Sequence, residues 1–314
     1  MTLTELKYIV AVARERHFGR AAEACFVSQP TLSVAIRKLE EELGVQIFER
    51  SSTEVAVTPV GEQIVEQAHR VLEQAGTIRE IAKQGKDPLA GPLKVGVIYT
   101  IGPYLLPGLV RQMIADTPQM PMLLQENFTV KLLESLRQGE IDVAILADPF
   151  NGPGLMSQPL YDEPFIVAVP HGHPWAMRTM IDSDELKRET MLLLGSGHCF
   201  RDHVLAVCPE LSRFAQESAG IQKTFEGSSL ETIRHMVASG IGITLLPWLA
   251  TPGPGDDGLL RYIPLRSPPP SRQISLVWRK SYTRVAAVAA LRQAVLKLDL
   301  PGVTRLPNAA PIAH

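Results

Sequence analysis

The hydrophobic period of this chain changes once, and that change limits the architectures open to it. Up to about residue 84, apolar residues recur at steps of three and four, the spacing of amphipathic helices. From Leu93 onward, short apolar runs alternate with helical segments, the pattern of an α/β domain. Gly85-Lys86-Asp87-Pro88 and Gly91-Pro92 separate the two regimes and predict a hinge. A length of 314 residues allows about two domains, one of them bilobal.

In the first regime, Thr2 and Glu5 fit a capping box ahead of Leu6, Ile9, Val10 and Ala13. Phe18, Ala21, Ala22 and Cys25 repeat the spacing in a shorter segment. Ser28 then caps a third helix that tolerates Pro30 in its first turn, buries Leu32, Ala35, Ile36, Leu39 and Leu43, and stops at Gly44. Two short strands around Ser51 to Glu54 complete a winged helix-turn-helix over residues 1–58. Hydroxyl, amide and guanidinium groups hydrogen-bond base edges and phosphates. Ser28, Gln29, Pro30, Thr31, Ser33 and Arg37 on the third helix, with Arg50 in the wing, are therefore the candidate DNA-binding residues. Net charge alone would not suggest this: the chain carries 31 basic and 33 acidic residues, and residues 1–58 carry seven and eight.

Thr58-Pro59 opens a long helix in which Ile64, Ala68, Val71, Ala75, Ile78 and Ala82 form a narrow seam at steps of four and three. Such a helix would run about 39 Å at 1.5 Å per residue. The seam predicts a dimerisation linker over residues 59–88. Packing against its own domain is the alternative.

The α/β half, residues 89–300, divides into lobe I, about 89–161 and 270–300, and lobe II, about 162–269, with two chain crossings and a cleft between them. The alternation predicts βαβ crossovers and a parallel sheet. Residues 301–314, with three prolines and few charges, predict a flexible tail. No apolar run reaches the ~18 residues of a membrane span, and the start lacks the pattern of a signal peptide. The expected location is the cytoplasm, with no membrane contact. No Ser/His/Asp set, carboxylate pair or phosphate loop stands out, and no cofactor or resident metal is expected.

Three cysteines give no disulfide framework. Cys25 lies on an apolar stripe. Cys199 follows the bend Gly195-Ser196-Gly197-His198 at the start of a segment with helical spacing, where the helix terminus and the neighbours His198, Arg201 and His203 favour a thiolate. If residues 199–208 are helical, the Cα atoms of Cys199 and Cys208 stand about 13.5 Å apart, roughly twice the reach of a disulfide. Joining them would unravel the segment, which is how a local oxidation could become a structural change. Plain packing of both thiols, or zinc held by Cys199, His203, Cys208 and His198, are the competing readings.

Residues 1–58 resemble the LysR-type transcriptional regulators through Ala21-Ala22, Ser28-Gln29-Pro30-Thr31-Leu32-Ser33, Leu39-Glu40, Leu43-Gly44, Phe48-Glu49-Arg50 and Thr58-Pro59-Val60-Gly61. The likeness extends to about residue 298. The regulatory half is similar to the peroxide-sensing branch of that family through Thr100-Ile101-Gly102-Pro103-Tyr104-Leu105-Leu106-Pro107, Gly197-His198-Cys199-Phe200-Arg201-Asp202, Cys208 and Ser229-Leu230-Glu231-Thr232-Ile233-Arg234. The resemblance implies an N-terminal winged helix-turn-helix, a long linker helix and a bilobal periplasmic-binding-protein-like α/β effector domain. It implies Cys199 as the peroxidatic and Cys208 as the resolving cysteine, with Thr100, Thr129, His198, Arg272 and Asp202 around the peroxide. The implied partners are promoter DNA, RNA polymerase, hydrogen peroxide and a glutaredoxin- or thioredoxin-type reductant, and the implied assembly is a homotetramer built of dimers. A LysR-type regulator holding a small organic ligand in the interlobe cleft, or a thiol peroxidase, are the other functions open to such a chain.

Overall fold

The computed structural model describes residues 1–50, 55–84, 87–150, 152–208 and 229–314, with only the backbone described at 50, 77 and 79–84. Met1–Gly85 with Arg137–Gly139 forms one compact unit, and Lys86–Leu136 with Glu140–His314 forms the other.

The first unit contains α1 (Leu3–Glu15), α2 (Phe18–Ala24), α3 (Gln29–Leu43), the antiparallel pair β1 (Phe48–Arg50) and β2 (Val55–Val57), and α4 (Pro59–Gln84). The capping box holds: the Glu5 amide donates to Thr2 Oγ1 at 3.2 Å and the Thr2 amide to Glu5 Oε2 at 2.7 Å. Gly44 ends α3 in the left-handed conformation, φ 69°, that favours glycine. Leu6, Ile9, Val12, Leu32, Ile36, Leu39 and Ile47 close the core. Part of the α4 seam takes the alternative reading, packing on its own domain. Ile64, Ala68 and Val71 pack into this same core, while Ile78 is 69% exposed further along.

The second unit holds β3 (Leu93–Ile98), α5 (Gly102–Asp116), β4 (Met122–Asn127), α6 (Thr129–Arg137), β5 (Val143–Ala147) and β6 (Leu155–Val169). These are followed by α7 (Cys199–Val207), α8 (Leu230–Ala238), β7 (Thr244–Pro247), β8 (Gly255–Asp256), β9 (Arg261–Pro264), β10 (Ser271–Arg279) and α9 (Val285–Lys297). Two separate hydrophobic clusters define the lobes. One gathers Leu93 to Tyr161 with Ile274 to Leu300, the other Phe165 to Leu265. The sheet is mixed, which corrects the all-parallel expectation: β3 pairs in parallel with β4 and β5, but β10 is antiparallel to both β5 and β6. The reason lies in β6, a 15-residue strand that leaves lobe I and enters lobe II without a break, so that β10 returns along it in the opposite sense. The apolar run Met191–Leu194 forms no strand and contributes one isolated bridge, Met191 to Ile243.

The tail is a second correction. Instead of hanging free, residues 301–314 lay β11 (Thr304–Arg305) and β12 (Ile312–Ala313) antiparallel on β6. Arg292 donates to the carbonyls of Leu306 and Pro307 at 2.9 and 2.7 Å, and His314 bonds Ser157 Oγ at 2.8 Å. The lobe I stretch of β6 has β10 on one side only, and the tail satisfies the backbone groups of the other. Among the described residues no helix is long and apolar enough to cross a membrane.

Candidate redox site and DNA-reading helix

Helix α3 turns Leu32, Ile36 and Leu39 inward, which leaves Gln29, Pro30, Thr31 and Arg37 exposed and Ser33 half-buried on the other side. Ser28 Oγ accepts from the Thr31 amide at 3.3 Å, fixing the first turn. Val34, absent from the list of candidate residues, is 64% exposed on the outer side, where an apolar group can meet a thymine methyl. The Arg50 backbone pairs with Val55, but its side chain lies outside the described residues. Glu40 faces the wing: its Oε1 accepts from the amides of Ile47 and Phe48 at 2.9 and 3.1 Å.

In the second unit, chain topology gathers the remaining candidates. The ends of the parallel neighbours β3 and β4 lie side by side, Ile98 opposite Asn127, so Thr100 just past one strand and Thr129 at the start of α6 meet at one sheet edge. Such an edge, at the carboxyl ends of parallel strands, is where ligands bind in open α/β sheets. Lobe II supplies Cys199 as the first residue of α7, with His198 as its N-cap. Thr100, Phe128, Thr129, Gly197, His198 and Cys199 line a cavity of about 10 Å³, room for about one water-sized molecule. Thr129 Oγ1 is buried beside it, next to the Cys199 thiol.

Behind Thr100 stands Arg272, on β10 directly opposite Glu163 of β6. Its Nη1 donates to Thr100 Oγ1 at 2.8 Å and its Nη2 to the Thr100 carbonyl at 3.0 Å. Its Nε reaches Glu163 Oε2 at 2.9 Å, and the guanidinium lies 5.2 Å from the Phe200 ring centroid. The other carboxylate oxygen of Glu163 accepts from the Leu249 amide at 2.9 Å. Arg272 is thus clamped between Thr100 and Glu163, with both side chains of the ion pair only 1% exposed. Glu163 was missed in the sequence, although an acid beside the apolar run Phe165 to Val169 is a signal that it needs a buried partner.

The electrostatics differ from those expected. Burial pushes the Cys199 thiol above its ordinary pKa and outweighs the opposing pull of Thr129 and Arg272. The expected neighbouring cations do not supply the missing help. Burial lowers the pKa of His198 and of His203, which favours their neutral forms, and Arg201 is bonded to the Leu194 carbonyl at 3.0 Å. Asp202 is exposed, is not among the lining residues, and adds to the upward shift of the thiol.

Cys208 caps the far end of α7 and is buried in the lobe II cluster, while Cys199 packs against the cluster of lobe I. The two are not joined in a disulfide. A regular helix of this length sets their Cα atoms about 13.5 Å apart. The same helix keeps Cys208 from sharing an ion with Cys199 and His203, and among the described residues no cluster of His, Cys, Asp or Glu could hold a metal.

Comparisons with known proteins place the whole chain in one family. The profile of the bacterial regulatory helix-turn-helix protein, lysR family, matches residues 3–62, and that of the LysR substrate binding domain matches residues 86–299. The chain is 43% identical to the DNA-binding transcriptional dual regulator OxyR of Escherichia coli K12, over 89% of this chain and 90% of that one. It is similar to full-length OxyR from Pseudomonas aeruginosa, with a TM-score of 0.75 and 50% identity over 97% of this chain and 98% of that one. It is also similar to a hydrogen peroxide-bound OxyR mutant from Corynebacterium glutamicum, with a TM-score of 0.61 and 35% identity over 94% and 92%. Matched along nearly its whole length by both halves of one architecture, the chain belongs to the LysR family of bacterial helix-turn-helix regulatory proteins.

Proposed function

We propose that this regulator senses hydrogen peroxide through Cys199 and Cys208 and transmits their oxidation to promoter DNA. The observation that carries the reading is the cavity at the start of α7. It has room for about one water-sized molecule and is lined by Cys199 and by Thr129, whose hydroxyl is buried beside the thiol. A polar oxidant one bond longer than water fits that chemistry; an organic effector, which needs a pocket of about 300 Å³ or more, does not.

The Cys199 thiolate attacks one peroxide oxygen, forming S–O as the O–O bond breaks; the departing hydroxide takes a proton and leaves as water. Cys208 then attacks the sulfenic sulfur. An S–S bond forms, the S–O bond breaks, and a second water departs, so that two thiols are oxidised for one peroxide reduced. Thr129 and Thr100 orient the peroxide, with Thr100 held by Arg272, whose charge favours the thiolate. Because a helix separates the two sulfurs, the second step requires α7 to unravel, and lobe II rearranges with it.

DNA is read by α3 with its exposed Gln29, Thr31 and Arg37, and Arg50 of the wing adds a phosphate contact. The α4 seam around the exposed Ile78 pairs with a second copy, and dimers pair into a homotetramer whose rearrangement changes the half-sites contacted and the engagement of RNA polymerase. A thiol reductant of glutaredoxin or thioredoxin type resets the switch. Ile78→Glu is expected to shift sedimentation toward smaller species; an unchanged profile removes this part of α4 from the interface.

Mass spectrometry of the thiols after sub-stoichiometric peroxide, run beside footprinting, tests the whole reading. Wild type is expected to lose two thiols as one Cys199–Cys208 disulfide while its footprint changes. Cys208→Ser is expected to accumulate sulfenic acid at Cys199 and no disulfide. Since only the thiolate reacts and burial holds the Cys199 pKa up, the rate of sulfenic acid formation should climb about tenfold per pH unit and still be rising past the ordinary thiol pKa of about 8.5. A rate already level at pH 6 would mean that the thiol is ionised in the resting protein.

A further inference from the structure

If oxidation melts α7, whatever holds the helix down sets the ease of switching. Phe200 and Val204 bury their side chains in lobe II, and Arg201 bonds Leu194 of the same lobe. His203 does otherwise. One turn beyond Cys199, its Nε2 lies 2.7 Å from the backbone carbonyl of Asp148, which follows β5 in lobe I. That carbonyl is rigidly placed. The Asp148 amide donates to the Gln273 carbonyl at 2.9 Å, its carboxylate bonds the hydroxyl of Ser275, and Ser275 is fully buried on β10.

A carbonyl can only accept, so the bond fixes the proton of the imidazole on Nε2. The other ring nitrogen, Nδ1, is buried with no partner among the described residues, and burial disfavours the charged ring. The neutral ring therefore has one polar function, to hold α7 against lobe I. None of the peroxide chemistry uses it, and His203 does not line the cavity.

We infer that His203 is a positioning residue, a latch that ties α7 to lobe I through the Asp148 carbonyl and sets how readily the helix melts to join Cys199 to Cys208. The inference rests on the redox-switch reading above. The bond exists only while α7 is helical, so it stabilises the dithiol form and is lost in the disulfide form. Removing it shifts the exchange of the protein dithiol with glutathione disulfide, which yields protein disulfide and two glutathione thiols, toward the protein disulfide.

The test is the equilibrium of full-length protein in glutathione buffers, read by mass spectrometry of the thiols, with peroxide oxidation of Cys199 timed separately. His203→Leu keeps apolar bulk beside Phe165 but cannot donate. It should move the equilibrium about tenfold toward the disulfide, the size expected for one lost hydrogen bond, equivalent to about 30 mV. The rate of the first peroxide step should stay within about twofold. His203→Asn, polar but too short to span to Asp148, should behave like the leucine variant and serves in its place if that protein does not fold. His203→Gln retains an N–H at similar reach and should restore the wild-type equilibrium. A leucine or asparagine variant with wild-type equilibrium overturns the latch, and so does a glutamine variant that fails to rescue. Wild type that forms no Cys199–Cys208 disulfide instead defeats the switch reading itself, a result visible before any variant is made.

Discussion

Cys199→Ser is expected to retain promoter binding and to show no response to peroxide, in footprint or in thiol chemistry. The serine hydroxyl is nearly isosteric with the thiol, yet it does not ionise in the range where a thiol does, and it cannot carry a sulfenic acid or a disulfide. The structural cost should be small. The side chain sits at the entry to α7 and packs against the edge of the lobe I cluster, and a serine hydroxyl can still take the bonds the sulfur accepts there from Thr129 and from its own backbone amide. DNA contacts lie in the other compact unit and keep their own core, so affinity and its salt dependence should match those of the reduced wild type. The informative comparison is with Cys208→Ser. If Cys199 is the trigger, its loss silences both steps, whereas loss of Cys208 leaves the first. A footprint that still changes with peroxide in Cys199→Ser places the sensor elsewhere and ends the proposal.

What could be read from the sequence, and what could not, follows from how far each determinant reaches along the chain. Thr2 with Glu5, Ser28 and Gly44 announce helix ends because a cap is settled within four residues. The bend before Cys199 marks the start of α7 for the same reason. The seam on α4 was ambiguous because steps of three and four serve a partner helix and a domain core equally well; Ile64 packs into the core while Ile78 is exposed. Strands β11 and β12 are two residues each, too short for alternation to register, and only the open edge of β6 gives them a place. The sign of the Cys199 shift escaped altogether. Charges near in sequence suggested a lowered pKa, but burial decides it, and burial is a property of the packed lobes. Glu163 lies equally beyond local reading: its partner Arg272 lies 109 residues away and meets it through the register of β10 on β6.

That pair makes the second large effect. Arg272→Met is expected to destabilise the effector domain by about 3–5 kcal/mol, the typical cost of stranding one member of a buried ion pair. With Glu163 1% exposed, solvent cannot take over from the guanidinium, and among the described residues the carboxylate keeps the Leu249 amide alone. Thr100 loses two donors to its hydroxyl and carbonyl in the same stroke. Adding Glu163→Gln should recover most of the loss, since the neutral amide leaves no unpaired charge and its oxygen can still accept from Leu249. Chemical denaturation of the single and double variants measures this, and a single variant within about 1 kcal/mol of wild type would mean that the pair is not the desolvated contact its geometry describes. Sensing should not recover with stability. Arg272 is the positive charge that pulls the Cys199 pKa down against burial, and the double variant still lacks it. Its Cys199 should ionise at higher pH and oxidise more slowly than wild type at neutral pH even when the protein is fully folded, which separates the contribution of Arg272 to the fold from its contribution to the thiol.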